Sequence, residues 1–321
     1  MSDGDEFALI ARHFAPLARD PAARSLLDDV AFVEGHGAFI VTTDTIVEGV
    51  HFLPDDPIDT IAQKALRVNI SDVVAKGGAP SHYLLSLQWP TTRPSAEIKH
   101  FAAGLAKDQA TFGCTLIGGD TTSTPGPLAV SVTMFGRPLS PDPPTRSGVQ
   151  VGDDVWVTGA IGDAMLGLRA LAGDLLLDAA HIDRLVSRYR TPTPRVAMAA
   201  AVAAFASAAM DVSDGLLGEA AKLASASGVR LVIRPESVPL SPAGTAWFAL
   251  QPDADGARAL LLNGGDDYEI LFTAPPQLRA RLSEVADDAG VSLTRIGLAV
   301  SGEGLESGGL AVRGHVHRLG S

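Results

Sequence analysis

Short apolar segments alternate along this chain with amphipathic segments of helical period, and this alternation limits the folds open to it. Seven segments rich in Val, Ile and Thr have the composition of β-strands, namely residues 38–41, 114–117, 128–135, 155–158, 229–233, 269–272 and 291–298. Between them, apolar residues recurring about every 3.6 positions predict helices over 58–76, 96–112, 215–227 and 276–289. Such alternation favours an α/β fold.

The predicted helices carry recognisable boundary signals. Ser95 can cap the second helix, and a glycine follows each of the last three, at Gly113, Gly228 and Gly290. The alanine-rich stretch VAMAAAVAAFASAAM, residues 196–210, is predicted as a further helix. Because it is shorter than a membrane span, we expect it to pack in a core.

The alternation is interrupted once, by the proline-rich segment GRPLSPDPPTRSGVQVGDD at residues 136–154. A chain of 321 residues is also longer than a typical single-core domain. We therefore predict two domains, residues 1–140 and 148–321, with the proline-rich segment as their linker.

Charge and cysteine content exclude several classes of protein. The formal net charge is −12 and no basic stripe is visible, which argues against nucleic acid or an anionic membrane as the main partner. The single cysteine, Cys114, excludes an intramolecular disulfide and a Cys-rich zinc site, and we expect it in the core. The acidic N-terminal MSDGDEFALIARHF lacks the long apolar region of a secretory signal, so a cytoplasmic location is expected.

Aspartates recur where predicted strands end or helices begin, which is where α/β proteins build their sites. The candidates are Asp28, Asp29, Asp44, Asp72, Asp120, Asp211, Asp214, Asp266 and Asp267. Hydroxyls lie beside them at Thr42, Thr43 and Ser213. Carboxylate and hydroxyl oxygens are the ligands that Mg²⁺ prefers.

Three glycine pairs, Gly77-Gly78, Gly118-Gly119 and Gly264-Gly265, would let backbone amides approach phosphate oxygens. The sequence has no GxxxxGK[ST] motif and no protein-kinase motif set. Together with the aspartates, these pairs predict a polyphosphate and metal site without a Walker lysine.

Each feature alone also has a structural explanation. An aspartate at a strand end is often a turn former or a helix cap, and Asp214 could cap the helix of 215–227. A glycine pair is often a tight turn, and His51 alone could be a hydrogen-bonded loop histidine.

Eight sequence blocks occur in order over almost the whole chain: GDEFALIARHF, DDVAF, VTTDTIVEGVHF, KALRVNISDVVAKGGAP, LIGGDTTS, TRSGVQVGDDVWVTG, DVSDGL and GGDDYEILF. This set resembles the thiamine-monophosphate kinases, of the family that includes aminoimidazole ribonucleotide synthetase. The resemblance implies a two-domain α/β fold like that of the synthetase. Its N-terminal mixed sheet with helices would pair in a homodimer, and its C-terminal domain would also be α/β.

The resemblance also implies an activity, the magnesium-dependent transfer of the γ-phosphoryl group of ATP to thiamine monophosphate, giving thiamine diphosphate and ADP. Several magnesium ions would be held by Asp28, Asp29, Thr42, Thr43, Asp44, Asp72, Asp120, Asp211 and Asp214. ATP would be contacted by Gly119, Asp120, Arg146 and Ser213, and the acceptor by His51, Asp266 and His315. Catalysis would depend on Asp44, Asp72, Asp120, Arg146 and Asp211.

The chain departs from the family pattern in three places. Ser25-Leu26-Leu27 stands where the family has Gly-x-Gly, and Asp266 stands where it has Glu. In place of an aromatic near the C-terminus, the nearest candidate to stack on the substrate ring is His315.

Two rival interpretations stay open on the sequence alone. One is a nucleotide- or thiamine phosphate-binding sensor without turnover, and the other is a different ATP-dependent member of the same superfamily. Selenophosphate synthetase and the hydrogenase maturation member would each need a cysteine that this chain lacks at the required position.

Overall fold

The computed structural model describes residues 9–26 and 37–312, with the side chains of residues 24–26 left undescribed. The chain divides into two compact units. The first contains the residues up to Val73 together with Ala79–Pro138, and the second contains Val74–Gly78 and the chain from Leu139 onward. The division at residue 138 lies inside the proline-rich segment, and the predicted limits 1–140 and 148–321 stay a prediction.

Strands and helices alternate as the apolar pattern indicates. The strands are β1 Ile40–Val47, β2 Gly78–Pro90, β3 Thr115–Thr124, β4 Ala129–Pro138, β5 Asp154–Thr158, β6 Ala208–Asp211, β7 Arg230–Ile233, β8 Ile270–Ala274, β9 Leu293–Val300 and β10 Gly304–Glu306. The α-helices are α1 Ile58–Ala75, α2 Ile98–Phe112, α3 Asp163–Leu171, α4 Ala179–Arg190, α5 Ala199–Phe205, α6 Leu216–Ser227, α7 Pro242–Ala249, α8 Ala254–Asn263 and α9 Arg279–Asp288.

The first unit is built on a mixed sheet with strand order β1-β4-β2-β3. β1 pairs with β4 antiparallel, and β2 pairs with β3 parallel. Along β4, Val130, Val132 and Met134 are fully buried while Ser131 and Thr133 are only partly so. This alternation is typical of a half-buried strand.

Helices α1 and α2 pack on the sheet and on each other through polar as well as apolar groups. Asp108 on α2 is fully buried and accepts hydrogen bonds from Arg67 Nε at 2.6 Å and from Gln63 Nε2 at 2.7 Å, both on α1. On the sheet side, the Trp89 ring of β2 contacts the Phe101 ring of α2 with centroids 6.2 Å apart. A buried ion pair that is so fully hydrogen-bonded fixes the two helices against each other.

The second unit contains a six-stranded sheet of order β10-β7-β9-β5-β8-β6. Its neighbouring strands are antiparallel except for the parallel pair of β10 and β7. The core beside it is formed by buried apolar side chains from strands and helices, among them Val155, Leu216, Leu223, Leu271 and Trp247. The fold is therefore the α/β type predicted from the sequence, in two parts.

Each of the seven predicted strands overlaps an observed one, but two of them continue much further than expected. The first runs on to Val47 and the second to Thr124, so Asp44 and Asp120 lie inside strands and not at strand ends. Polar residues fill the second half of both strands, and for this reason the apolar pattern did not reveal them.

The alanine-rich stretch 196–210 is also shorter as a helix than predicted. Helix α5 ends at Phe205, and Ala208–Asp211 form the buried strand β6. Alanine favours helices by intrinsic propensity, but pairing with β8 overrides that preference here. Within residues 9–26 and 37–312, no helix has both the length and the apolar character that crossing a bilayer requires.

The helix boundaries follow the glycines more closely than the predicted cap. Gly113 and Gly228 directly follow α2 and α6, and both are left-handed. The prediction for Ser95 is wrong, because Ser95–Glu97 form a 3₁₀ turn and Glu97 occupies the position before α2 without a side-chain cap.

The buried Cys114 gives a direct test of the first unit's packing. Burial raises the pKa of its thiol to about 12, so at pH 8 only ~1 part in 10,000 would be thiolate, the reactive form. We expect iodoacetamide to leave the native protein unmodified for hours at pH 8 and to label it rapidly in 6 M urea, measured by intact mass. Rapid labelling of the native protein would contradict the buried position.

Candidate active site

In the first unit, polar groups of α1 reach the middle of β1. Thr42 Oγ1 donates to Asp72 Oδ2 at 2.5 Å, and the Asp44 backbone N–H donates to Asn69 Oδ1 at 3.0 Å. Asn69 is fully buried and also donates to Ala65 O, which orients its amide. The structure thus brings together Thr42, Asp44 and Asp72, and it adds Asn69, which the sequence analysis did not assign to the site.

The neighbouring hydroxyl of Thr43 faces the other way. Successive side chains of a strand point to opposite faces, and Thr43 Oγ1 lies 3.1 Å from Thr133 Oγ1 on β4. The Thr43 side chain therefore does not share a face with the Thr42–Asp72 pair. Asp120 lies on β3 opposite Ser86, and two strands separate β3 from β1.

His51 lies in the turn after β1. Its Nδ1 accepts the Val47 backbone N–H at 3.0 Å, and its carbonyl accepts from Lys64 Nζ at 2.8 Å. Lys64 is 1% exposed, so a buried ammonium supports this turn. Because Nδ1 accepts, the ring proton of His51 lies on Nε2. One ring nitrogen of His51 thus makes the kind of hydrogen bond within the loop that a structural histidine would make.

In the second unit, Asp211 is the last residue of β6 and is 6% exposed. Arg146 is exposed and follows Thr145, which pairs with Ala208 at the other end of the same strand. Lys76 Nζ donates to the carbonyl of Ala209 in the same strand. Strand β6 thus places Arg146 beside its first residue and Asp211 at its last.

Beyond β6, Asp214 forms an ion pair with Lys222. Lys222 Nζ lies 2.9 Å from Asp214 Oδ2 and 3.1 Å from Glu219 Oε1, while Gly215 occupies the N-cap position of α6. The alternative that Asp214 caps this helix is therefore wrong. Burial opposes the charge of Lys222, but hydrogen bonds to the Asp214 and Glu219 carboxylates outweigh it and raise its pKa.

Glu219 holds the turn that carries Ser213 and Asp214. Its Oε1 accepts from Asp214 N at 3.2 Å and from Ser213 Oγ at 3.4 Å. Among the described residues its Oε2 is buried without a hydrogen-bond partner, and burial raises the pKa of this carboxyl. A glutamate four positions after Gly215 looks like a surface residue of α6 in the sequence, so no signal there revealed this role.

The turn 264–268 packs directly against the Ser213 turn. The Asp266 N–H donates to Ser213 O and the Tyr268 N–H donates to Val212 O, both at 2.8 Å. Both donors have positive φ, 72° at Asp266 and 51° at Tyr268. Such angles are uncommon outside glycine and mark a turn held in place by its surroundings. Ser213 and Asp266, predicted to contact ATP and the acceptor, are thus hydrogen-bonded neighbours.

Two acidic side chains beside this turn are buried. Asp267 is 1% exposed, and its Oδ2 accepts the Gly162 N–H at 2.8 Å at the start of α3. Burial raises the pKa of Asp267 well above its usual range. Glu269 is fully buried and receives hydrogen bonds from Thr158, Arg188 and Arg195. Protein donors engage both side chains, and Asp267 caps the first turn of α3.

Each of the three glycine pairs is explained by close packing of the backbone. A Cβ on Gly77 would lie 2.7 Å from Ala203 Cα, one on Gly119 would lie 1.8 Å from the Leu85 carbonyl on β2, and one on Gly265 would lie 2.5 Å from the Ser213 carbonyl. Tight approach of two backbones therefore requires glycine at one position of each pair. The predicted phosphate cradle at these pairs stays a prediction.

The donor set suits magnesium in its chemistry, since carboxylate and hydroxyl oxygens meet in the Thr42–Asp72 contact with Asp44 beside it. Within the described residues, no group of three or more His, Cys, Asp or Glu side chains forms a metal-binding cluster. Asp28, Asp29 and His315, and Leu27 of the variant loop, lie outside the described residues.

Comparison with known proteins places both units in one family. The family described as AIR synthase related protein matches this chain with its N-terminal domain over residues 27–137 and with its C-terminal domain over residues 150–309. Thiamine-monophosphate kinase of Caulobacter vibrioides is 42% identical over 306 residues, which cover 94% of this chain and 86% of that protein. The chain belongs to the thiamine-monophosphate kinase family.

Solved structures of this kinase family share the fold. Thiamine-monophosphate kinase from Stenotrophomonas maltophilia K279a superimposes with a TM-score of 0.84 at 36% identity, covering 96% of this chain and 98% of that one. AaThiL complexed with AMPPCP and TMP superimposes with a TM-score of 0.79 at 30% identity, covering 98% and 97% of the two chains. The resemblance noted from the sequence blocks is confirmed.

Gly265 tests the close approach of the two turns. We expect Gly265→Ala to destabilise the protein by ~1–3 kcal/mol, because the new Cβ would overlap a backbone carbonyl that cannot move aside cheaply. Gly244→Ala in α7 is the matched control, since its Cβ would meet ordinary contacts at 3.5 Å or more. Urea unfolding of both variants measures the difference, and equal stability would contradict the tight turn-to-turn contact.

Proposed function

We propose that this protein transfers the γ-phosphoryl group of ATP to thiamine monophosphate, giving thiamine diphosphate and ADP. The observation that carries the proposal is membership of the thiamine-monophosphate kinase family at 42% identity over nearly the whole chain. The AaThiL structure supports both substrates, because it holds AMPPCP and TMP in a chain of the same fold.

The polar groups of the two units suit a reaction between two anions. Asp44, Asp72, Asp120 and Asp211 would hold magnesium, with Asp28, Asp29, Asp214 and the Thr42–Thr43 pair as further ligands. Bound magnesium would neutralise charge on the phosphate oxygens. Thr42 and Asn69 keep Asp72 and the Asp44 backbone in position before any ligand arrives. Thr43 would contribute its main-chain carbonyl, because its hydroxyl points to the other face.

Binding of the nucleotide is assigned to Gly119, Asp120, Arg146 and Ser213. Arg146 is exposed beside the start of β6, so its side chain can adjust its position to a bound phosphate. Ser213 is held in place by hydrogen bonds with Glu219 and with the Asp266 backbone. A guanidinium is a good partner for a transferring phosphoryl group, since its charge opposes the repulsion between donor and acceptor.

The acceptor needs no general base. It is a phosphate monoester whose second pKa is about 6, so most of it is dianionic at neutral pH. His51 and Asp266, with His315, are assigned to the acceptor and would orient it. Phosphoryl transfer depends mainly on such positioning and on charge neutralisation.

The catalytic assignment is tested with purified protein, ATP, Mg²⁺ and thiamine monophosphate, following thiamine diphosphate and ADP by chromatography. We expect equimolar formation of both, none with EDTA, and none with free thiamine. ADP without thiamine diphosphate would point to another acceptor and another member of the superfamily. Binding of both substrates without turnover would favour the sensor.

Conservative changes of the assigned ligands separate chemistry from folding. We expect Asp44→Asn and Asp211→Asn each to lower kcat at least ~100-fold, as loss of a group that stabilises transition-state charge does. The controls are Asp55→Asn and Asp183→Asn, which alter exposed aspartates of the same two units. Circular dichroism checks that all four variants fold, and normal turnover of both site variants would contradict the metal assignment.

A homodimer and a cytoplasmic location complete the proposal. Helices α1 and α2 pack on one face of the first sheet, and the other face carries Val41, 54% exposed, opposite Phe135 on β4. Phe39 is 41% exposed and its ring contacts that of Phe135, with centroids 6.3 Å apart. Apolar groups on an open sheet face are typical of an interface.

Absence of structural disulfides is compatible with the cytoplasm.

We expect the wild type to run as a dimer and Val41→Glu as a monomer in light scattering after gel filtration, because a carboxylate would be buried at the paired sheets. Val151→Glu, at a position 60% exposed in the second unit, is the control and should leave the mass unchanged. A monomeric wild type would contradict the proposed pairing of the sheets but would not bear on the proposed kinase activity.

A further inference from the structure

The segment 266–268 is held in a conformation that its residues do not prefer. Asp266 and Tyr268 have φ of 72° and 51°, and residue 267 lies between them. Two left-handed non-glycine residues this close together persist only where surrounding contacts outweigh their cost. Hydrogen bonds to Val212 O and Ser213 O hold the two amide groups of the segment. The carbonyl of Asp267 is held by a separate contact.

That contact is made by a guanidinium from α4. Arg188 Nη2 lies 3.1 Å from the carbonyl oxygen of Asp267 and 2.9 Å from Glu269 Oε1. Its side chain is only 12% exposed, and Glu269 is fully buried. One group thus ties the peptide between the two left-handed residues to a charged centre in the core.

A second arginine shares the charged centre but contacts it differently. Arg195 donates through Nε to Glu269 Oε2 at 2.6 Å and through Nη2 to Oε1. Its hydrogen bonds run to the Glu269 carboxylate alone and not to the Asp267 carbonyl. The two arginines therefore match in charge, burial and partner, and differ in the bond to the 266–268 backbone.

We propose that Arg188 is a positioning residue for the acceptor: by holding the Asp267 carbonyl it sets the direction in which the Asp266 carboxylate points. This rests on the proposed function, in which Asp266 contacts thiamine monophosphate. Arg188 itself does not touch the substrate in this scheme. Its effect reaches the acceptor through one peptide unit, so it changes acceptor binding and not the binding of ATP.

The test compares Arg188→Lys with Arg195→Lys in steady-state kinetics. Arg188 makes both contacts from the one nitrogen Nη2. A lysine at 188 keeps the charge near Glu269, but its nitrogen lies one covalent bond nearer to the backbone and falls short of the point from which Nη2 reaches the Asp267 carbonyl. We expect Arg188→Lys to raise the KM for thiamine monophosphate at least ~10-fold, with the KM for ATP and kcat within ~2-fold. Arg195→Lys should leave the KM for thiamine monophosphate within ~2-fold at a similar loss of thermal stability.

A double-mutant cycle with Asp266→Asn supplies a readout that a purely structural role would not move. If Arg188 acts through Asp266, the change in KM caused by Asp266→Asn should shrink at least ~3-fold in the Arg188→Lys background. Additive effects would overturn the proposal, as would equal rises in KM for the two arginine variants. Should Arg188→Lys fail to fold, Arg188→Met removes the donor to the Asp267 carbonyl with an unbranched side chain and enters the same cycle.

The outcomes also separate this inference from the proposed function. A wild type that makes no thiamine diphosphate contradicts both. An active wild type whose two arginine variants behave alike contradicts only the role of Arg188. A selective rise in KM for ATP in Arg188→Lys would likewise overturn it, because the proposed contact runs to the acceptor side.

Discussion

The Glu269 carboxylate is the point on which the second unit's site depends. A fully buried charge is costly unless it is paired and hydrogen-bonded, and Glu269 meets this requirement with Thr158 on β5, Arg188 on α4 and Arg195 before α5. Thr158 also links β5 to β8, because its Oγ1 accepts the Ile270 N–H at the start of β8. Removing one partner would weaken the compensation of this buried charge, so these elements and the turn before β8 hold one another in place.

In the first unit too, polar side chains of one element hold the backbone and side chains of another in place. Three residues of the KALRVNISD block on α1 each hold a predicted site group: Lys64 binds the His51 carbonyl, Asn69 the Asp44 amide and Asp72 the Thr42 hydroxyl. A helix with its own complete backbone bonding is a rigid support, and it can position a polar strand whose side chains have little apolar packing. The motif residues of this block therefore support predicted site groups, and a motif match alone does not tell a supporting role from a ligand role.

Periodicity in the sequence predicts the helices and the apolar strands because both signals come from residues buried on one face. It failed at Asp44 and Asp120, where strands continue through polar residues, and at Ala208–Asp211, where pairing with β8 overrides the helix preference of alanine. The buried cluster was beyond reach for another reason: Arg188 and Glu269 are 81 positions apart, and charged residues are expected at the surface. Long-range polar contacts of this kind leave no local pattern in a single sequence.

The departure at Asp266 follows from the same geometry. The resemblance drawn from the sequence implies Glu at this position, and Asp is shorter than Glu by one methylene. Asp tolerates the left-handed region better than most residues, because its short carboxylate bonds locally; Tyr268 Oη lies 3.4 Å from Asp266 Oδ1. Because φ is 72°, Asp at this position costs less backbone strain than Glu would. Its carboxylate, however, extends less far from the backbone. A shorter carboxylate has less freedom to find its partner, so its direction depends more strongly on the backbone, and this backbone is what Arg188 holds.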